Sequence, residues 1–132
     1  MRRSTLLLVL GVLVVVLAVV PWGDFQSHPQ WSRVGWIPFV SRPIRTSDIV
    51  ANVLLFMPFG AGVVLVMGRR RPALVYATAG GALLSLTGEA LQLYSHTRFP
   101  SATDVVCNTA GAALAAFLTL QRSPRPGNRD RH

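Results

Sequence analysis

The sequence has no lysine, one cysteine and few acidic residues, and these shortages narrow the classes of protein that fit it. Its 132 residues contain five Asp or Glu residues against thirteen Arg, for a formal charge of +8. The single Cys107 excludes a disulfide framework within the chain, and its apolar surroundings favour a packed small residue over a nucleophile. His28, His96 and His132 are not at metal-ligand spacing, so no metal site is expected. No cofactor-binding motif occurs either, and no cofactor is predicted.

Charged residues of any kind are scarce. They make up 14% of the chain, whereas hydrophobic residues make up 51%, a balance too apolar for an ordinary soluble domain of this size. A strongly basic chain would otherwise suggest nucleic-acid binding. Here the arginines lie at the ends of apolar segments, where they fix the orientation of membrane helices. Membrane lipids are therefore expected as partners, and nucleic acid is not.

Four apolar segments predict an all-α polytopic membrane protein, a bundle of four transmembrane helices within one domain (residues 1–122). The predicted helices cover about residues 5–22, 48–67, 73–94 and 103–120. Each approaches the roughly 20 residues that cross about 30 Å of hydrocarbon. The last ten residues, 123–132, are basic and rich in Pro and Gly, which predicts a disordered tail.

The arginines also predict how the bundle is oriented. If the chain starts inside the cell, nine arginines lie on the inner side and four on the outer side, which favours two cytoplasmic termini in a multi-pass plasma-membrane protein. A second interpretation takes the first apolar segment as a cleaved signal peptide. The predicted outer loop, residues 23–47, contains Trp31 and Trp36. It is either a surface loop with anchoring tryptophans or a lid over a site.

Small and polar residues recur every four positions along three of the predicted helices. The rows are Asp48, Asn52, Phe56 and Gly60; Ala77, Gly81, Ser85 and Glu89; and Asp104, Asn108, Ala112 and Ala116. Residues at this spacing share one helix face, and small residues mark close contact between membrane helices. In the predicted orientation the polar members, with Gln92, lie toward the outer surface, below Arg98.

Each polar residue also has a purely structural interpretation. Ser101 or Thr103 can cap the fourth helix while Asp104 favours its positive end. Asn52 and Asn108 can be ordinary interhelical hydrogen bonds. Ser47 and Asp48 can simply begin the second helix.

Glu89 is harder to explain by structure alone, because an acid near the middle of a membrane helix costs free energy on insertion. An ion pair with Arg98 is its structural alternative.

The motifs in these helices resemble those of the VanZ-like family. "NVLLFMPFGAGVVL" matches N-x-x-x-F-x-P-x-G, Glu89 and Gln92 match E-x-x-Q, and "DVVCNTAGAALAAF" after Arg98 matches D-x-x-x-N-x-x-G. The resemblance covers about residues 45–120. It implies a small bacterial membrane protein, in a family whose named member is associated with low-level resistance to the glycopeptide teicoplanin. By the resemblance, the functional positions are Asn52, Phe56, Pro58, Gly60, Glu89, Gln92, Arg98, Asp104, Asn108 and Gly111.

Together, the residues and the resemblance predict a polar pocket open to the outer leaflet. In a binding protein, Asn52, Gln92, Arg98 and Asn108 would hold a lipid-linked cell-wall precursor or a lipoglycopeptide antibiotic. In an enzyme acting on such a precursor, Glu89 would be the acid or base, Asp104 would orient Arg98, and Arg98 would hold a phosphate or carboxylate. In a scaffold, the polar residues would only join the helices. Phe56, Pro58, Gly60 and Gly111 are expected to be structural positions of the motif.

Overall fold

The computed structural model describes residues 2–41 and 43–122, which fold into four α-helices. They are α1 (Arg3–Val19), α2 (Thr46–Val66), α3 (Pro72–Gln92) and α4 (Ala102–Gln121), with a 3-10 helix at Trp31–Arg33. No strand forms within these residues, so the all-α prediction is confirmed. The observed helix ends lie within three residues of the predicted ones. The predicted tail, residues 123–132, lies outside the described residues.

Three of the helices, α2, α3 and α4, are long and apolar enough to cross a membrane. The first helix is shorter than predicted. It has 17 residues and ends at Val19, because Val20 is already extended (φ −76°, ψ 130°) before Pro21. A residue that precedes proline is disfavoured in the helical region. Crossing of the membrane by α1, and the orientation of the bundle, stay predictions.

Two glycines allow α2 and α4 to approach each other closely. A Cβ atom on Gly60 would collide with the backbone of Ala112, and one on Gly111 would collide with the backbone of Val53. Small residues permit this contact because no side chain separates the two backbones. The predicted small-residue face of α4 is therefore packed, and it packs against α2.

The interior is built from one aromatic cluster and one cluster of small residues. Phe56 has no exposed surface and packs with Val15, Phe59 and Ala112, which joins α1, α2 and α4. The second cluster lies toward the other end of the bundle and contains Val64, Ala73, Ala77 and Ala116. Since most interior side chains are small, the helices come close enough for polar groups on facing helices to bond.

The segment between α1 and α2 folds over one end of the bundle, and we call residues 20–41 the cap. It pairs with the connection between α3 and α4. Gly35 donates its N–H to the carbonyl of Pro100 and accepts from the N–H of Ala102, both over 2.9 Å. Gln26 donates to the carbonyl of Tyr94 over 2.7 Å. The cap is thus tied by backbone hydrogen bonds to the residues that lead into α4.

A carboxylate fastens the start of the cap. Asp24 Oδ2 accepts hydrogen bonds from the Ser95 hydroxyl, from the Thr97 N–H over 3.0 Å and from the Thr97 hydroxyl over 2.6 Å. These bonds favour the charged form and lower the pKa of Asp24 from 3.8 to about 2, with the Ser95 hydroxyl as the largest cause. The cap therefore gains a charged anchor at its N-terminal side.

Candidate functional site

Glu89 lies in the last turn of α3 and caps the neighbouring helix. Its Oε2 accepts a hydrogen bond from the backbone N–H of Ser101 over 2.6 Å. Ser101 is the N-cap of α4, and its own side chain accepts from the N–H of Thr103 over 3.2 Å. The sequence prediction that Ser101 or Thr103 caps α4 is confirmed for Ser101.

Asp104 occupies the third position of α4, where a capping-box acid would bond back to the N-cap N–H. In this structure the N–H of Ser101 donates to Glu89 of α3 instead. Asp104 Oδ1 instead accepts a hydrogen bond from Asn52 Nδ2 over 2.9 Å, which joins α4 to α2. The interhelical role predicted for Asn52 is therefore present.

One turn further into the bundle, a second polar pair joins α3 to α4. Asn108 Nδ2 donates to Ser85 Oγ over 2.8 Å, and the two residues are 2% and 1% exposed. Asn108 Oδ1 is buried and has no hydrogen-bond partner among the described residues. The interhelical bond predicted for Asn108 is present, but this residue lies below the cap end of the bundle.

Gln92 and Arg98 face α1. Gln92 Nε2 donates to the carbonyl of Val19 over 3.1 Å, and the Arg98 guanidinium reaches the carbonyl of Ala18 at 3.5 Å. Within the described contacts no ion pair joins Arg98 to Glu89, although Glu89 is within electrostatic range of both Arg98 and Asp104. The predicted residues thus do not form one hydrogen-bonded cluster: these two hold the end of α1.

The motif residues of α2 have structural positions. Phe56 fills the core, and Gly60 lies against α4. Pro58 lies inside α2, where it has no N–H for the carbonyl of Leu54. Gly111 is the matching contact on α4.

An apolar cavity of about 410 Å³ opens between α3, α4 and the cap. Its lining residues are Trp31, Val34, Trp36, Pro38, Leu86, Glu89, Ala90, Leu93, Pro100, Ser101, Ala102, Val105 and Val106. Glu89 is the one ionisable residue among them. The rings of Trp31 and Trp36 stack, with centroids 6.2 Å apart and planes 5° from parallel. We call this the tryptophan cavity.

A second cavity, of about 240 Å³, is more polar and lies on the α2 side. It is lined by Pro43, Ile44, Asp48, Ile49, Phe99, Ser101, Thr103 and Asp104. Ser101 lines both cavities, so the residue held by Glu89 separates a mostly apolar space from an acidic one.

Comparison with known families agrees with this motif arrangement. The family model described as VanZ/LLP1 matches residues 4–121. The chain belongs to the VanZ-like family. Neither a curated protein nor a solved structure matches it significantly. With three apolar helices of spanning length, this VanZ-like chain is a membrane protein.

In this VanZ-like protein, the family motifs account for the acid at the cavity but not for the aromatic wall. Within the part of the chain that the structure describes, no three His, Cys, Asp or Glu side chains group as metal ligands. Cys107 is buried in α4 and lines neither cavity. The chemistry available at the tryptophan cavity is therefore one carboxylate at the edge of an apolar, aromatic space.

Sequence reasoning missed the part that the cap plays. The sequence shows the tryptophans of this loop, but the cavity that they share with Leu86 of α3 and Val105 of α4 depends on pairing between residues far apart in the sequence. The lid alternative for this segment was the nearest signal. Trp31 and Trp36 are 57% and 65% exposed, so they cover the cavity without closing it.

Proposed function

We propose that this membrane protein binds a polar molecule that carries a hydrocarbon chain, with the chain in the tryptophan cavity and the polar part at Glu89. The ligand class is a lipoglycopeptide or a lipid-linked envelope precursor. The observation that supports this proposal most directly is the cavity itself, whose wall is apolar and aromatic and includes one carboxylate. Small-molecule sites commonly combine an apolar wall with a few placed polar groups.

The size of the cavity supports this class of ligand. Its volume of about 410 Å³ falls in the lower part of the range of about 300 to 1,000 Å³ that is typical of small-molecule sites. A whole glycopeptide would not fit, whereas one alkyl chain would. The polar body of the ligand would then lie outside, beside the exposed rings of Trp31 and Trp36.

The distribution of arginines supports an outer-leaflet position for the site. Arg69, Arg70 and Arg71 lie between α2 and α3, at the end of the bundle opposite the cap. By the positive-inside rule that end is cytoplasmic, and the cap faces outward. A ligand of the outer leaflet would reach the cavity from the lipid side or from above.

A susceptibility assay tests the biological side of the proposal. One bacterial host would carry an empty vector, the wild-type protein or Glu89→Gln, and membrane levels would be matched by blot. Because Gln can still accept the Ser101 N–H, we expect equal levels of the variant but weaker protection against teicoplanin. Vancomycin has no acyl chain, so susceptibility to it should be the same in all three strains.

Three outcomes of this assay would count against the proposal. Equal protection by wild type and Glu89→Gln would remove Glu89 from the site. A wild-type protein that leaves teicoplanin susceptibility unchanged would exclude a role in resistance. A variant that disappears from the membrane would favour the scaffold interpretation of Glu89.

A further inference from the structure

The carboxylate of Glu89 is unusual among the residues that line the tryptophan cavity. Its Oε2 accepts from the Ser101 N–H, and its Oε1 makes no hydrogen bond within the described residues. The other lining residues carry no ionisable group. A charged carboxylate in apolar surroundings is costly unless a partner compensates it. The Ser101 N–H supplies part of that compensation, and a bound cation would supply the rest.

Two of the described arginines near the site, Arg98 and Arg33, have hydrogen bonds outside the tryptophan cavity. The Arg98 guanidinium is directed to the carbonyl of Ala18 on α1. Arg33 donates to the carbonyl of His96 over 2.6 Å, and its guanidinium lies 5.2 Å from the centre of the Phe99 ring. Both side chains therefore have contacts outside the tryptophan cavity, and neither is among its lining residues.

The aromatic wall favours a positive charge as well. Trp31 and Trp36 stack on each other and both line the cavity, while each remains more than half exposed. The face of an indole ring attracts cations more strongly than the other aromatic rings do, and aromatic cages recognise alkylated ammonium groups. Asp104 and Arg98 both lie within electrostatic range of Glu89, with opposite charges, and the effect of Asp104 is the larger of the two.

We propose that the tryptophan cavity recognises an ammonium group attached to a single hydrocarbon chain, with Glu89 as counter-ion and the indoles of Trp31 and Trp36 as the cation-binding wall. This inference rests on the proposed function and adds the charge of the ligand's polar part. The occupant is a single-chain amphiphile, a class that includes the lipoglycopeptide of the proposed function, because the cavity of about 410 Å³ is at the small end of ligand sites, which run from about 300 to 1,000 Å³. Its chain would lie along Leu86, Ala90 and Val105.

Fluorescence quenching by brominated amphiphiles tests this directly. The full chain, carrying Trp22→Phe, would be placed in phosphatidylglycerol nanodiscs, whose lipid carries no ammonium group. In this variant Trp31 and Trp36 are the emitting residues. Trp22 is not among the cavity-lining residues, and its removal should leave binding unchanged. The probes are 6-bromododecyl-trimethylammonium, 6-bromododecan-1-ol and 6-bromododecyl sulfate, in which the bromine lies in the half of the chain nearer the head group. Quenching by each probe is corrected for its partition into empty discs.

We expect the ammonium probe to quench at a concentration about tenfold lower than the alcohol, and the sulfate to be the weakest. A tenfold preference corresponds to about 1.4 kcal/mol. Glu89→Gln should reduce the preference to about twofold, the part that the indole rings supply, while the alcohol still binds. In Trp36→Leu, the emission of Trp31 reports binding, and the ammonium preference should be weaker although Glu89 is unchanged. This second variant keeps the test valid if Glu89→Gln folds poorly.

The outcomes separate this inference from the proposed function. Equal quenching by all three probes, unchanged in Glu89→Gln, would overturn the ammonium site and leave chain binding intact. No saturable quenching by any probe would remove both. Displacement of the ammonium probe by phosphatidylethanolamine added to the discs would assign the site to a bilayer lipid and overturn the single-chain amphiphile.

Discussion

The backbone N–H of Ser101 donates to Oε2 of Glu89 over 2.6 Å, so that a carboxylate of α3 caps the first turn of α4. Ser101 also lies between the tryptophan cavity and the second, more polar cavity, because it lines both. One oxygen of Glu89 therefore holds the start of a helix. In the proposed function, the same carboxylate also meets the polar part of the ligand.

Substitution of Glu89 should separate the hydrogen bond from the charge. Glu89→Ala leaves the Ser101 N–H without its acceptor, and a partly buried unsatisfied donor costs about 1 to 3 kcal/mol. Glu89→Gln keeps an acceptor oxygen and should lose much less stability. Thermal unfolding of both variants in the same detergent would measure the difference. Equal destabilisation would show that the capping bond contributes little.

The contact between α2 and α4 should not tolerate a methyl group. In Gly60→Ala or Gly111→Ala the new Cβ meets the backbone of the facing helix, which cannot move aside as a flexible side chain would. Overpacking of this kind typically costs about 1 to 3 kcal/mol. Gly35→Ala is the matched control, because the nearest atom to its new Cβ is 3.5 Å away. We expect loss of folded protein on size-exclusion chromatography for the first two variants and not for the control.

Ser85 and Asn108 should be energetically coupled. Ser85→Ala leaves the buried Asn108 amide without its acceptor, at a cost of about 1 to 3 kcal/mol. In the double variant Ser85→Ala/Asn108→Ala no such group is left, so its loss should fall short of the sum by about 1 kcal/mol. The control pairs Ser85→Ala with Thr119→Ala, since Thr119 bonds only within α4 at Ala115. Additive behaviour of the first pair in unfolding measurements would contradict the coupling.

Acid should loosen the cap through Asp24. The carboxyl has a pKa of about 2 in the folded cap, against its ordinary 3.8, because hydroxyl groups of Ser95 and Thr97 and the Thr97 N–H bond to the charged form. A lowered pKa means that this contribution is fully present above about pH 4 and is lost as the pH falls toward 2. Emission from Trp31 and Trp36, in a Trp22→Phe background, should report the change.

The control for that titration is Asp24→Asn, which has no proton to gain at this position. The difference between the two pH profiles isolates Asp24 from other acidic groups. Identical profiles from pH 6 to 2 would show that Asp24 does not anchor the cap.

The helices could be predicted from the four apolar segments, and their packed faces from small residues at four-residue spacing, which mark close helix contact. Gly60, Gly81 and Gly111 all lie at such contacts. The capping of α4 by Ser101 was likewise readable from a local motif. The interactions that could be predicted lie either within one helix or between two helix faces that each carry small residues every four positions.

The hydrogen-bond partners of the polar residues could not be predicted in the same way. Glu89, Gln92 and Arg98 are neighbours in sequence, yet Glu89 bonds toward α4 while Gln92 and Arg98 bond to carbonyls at the end of α1. Those carbonyls became available because α1 ends at Val19, before Pro21. The aromatic wall depended on Gly35 pairing with Ser101, which no local pattern indicates.

The position of the ligand's hydrocarbon chain is the most direct test of the account. A teicoplanin analogue with a diazirine in its acyl chain would be irradiated with the protein in nanodiscs, and the labelled residues would be identified by mass spectrometry. The matched variants are Ala90→Phe, which fills the tryptophan cavity, and Ala79→Phe, an exposed position of α3 outside it. We predict labels on Leu86, Val105 or Val106 in wild type and Ala79→Phe, and their loss in Ala90→Phe. Labels spread over exposed Val75 and Leu83, and unchanged in Ala90→Phe, would contradict binding in the cavity.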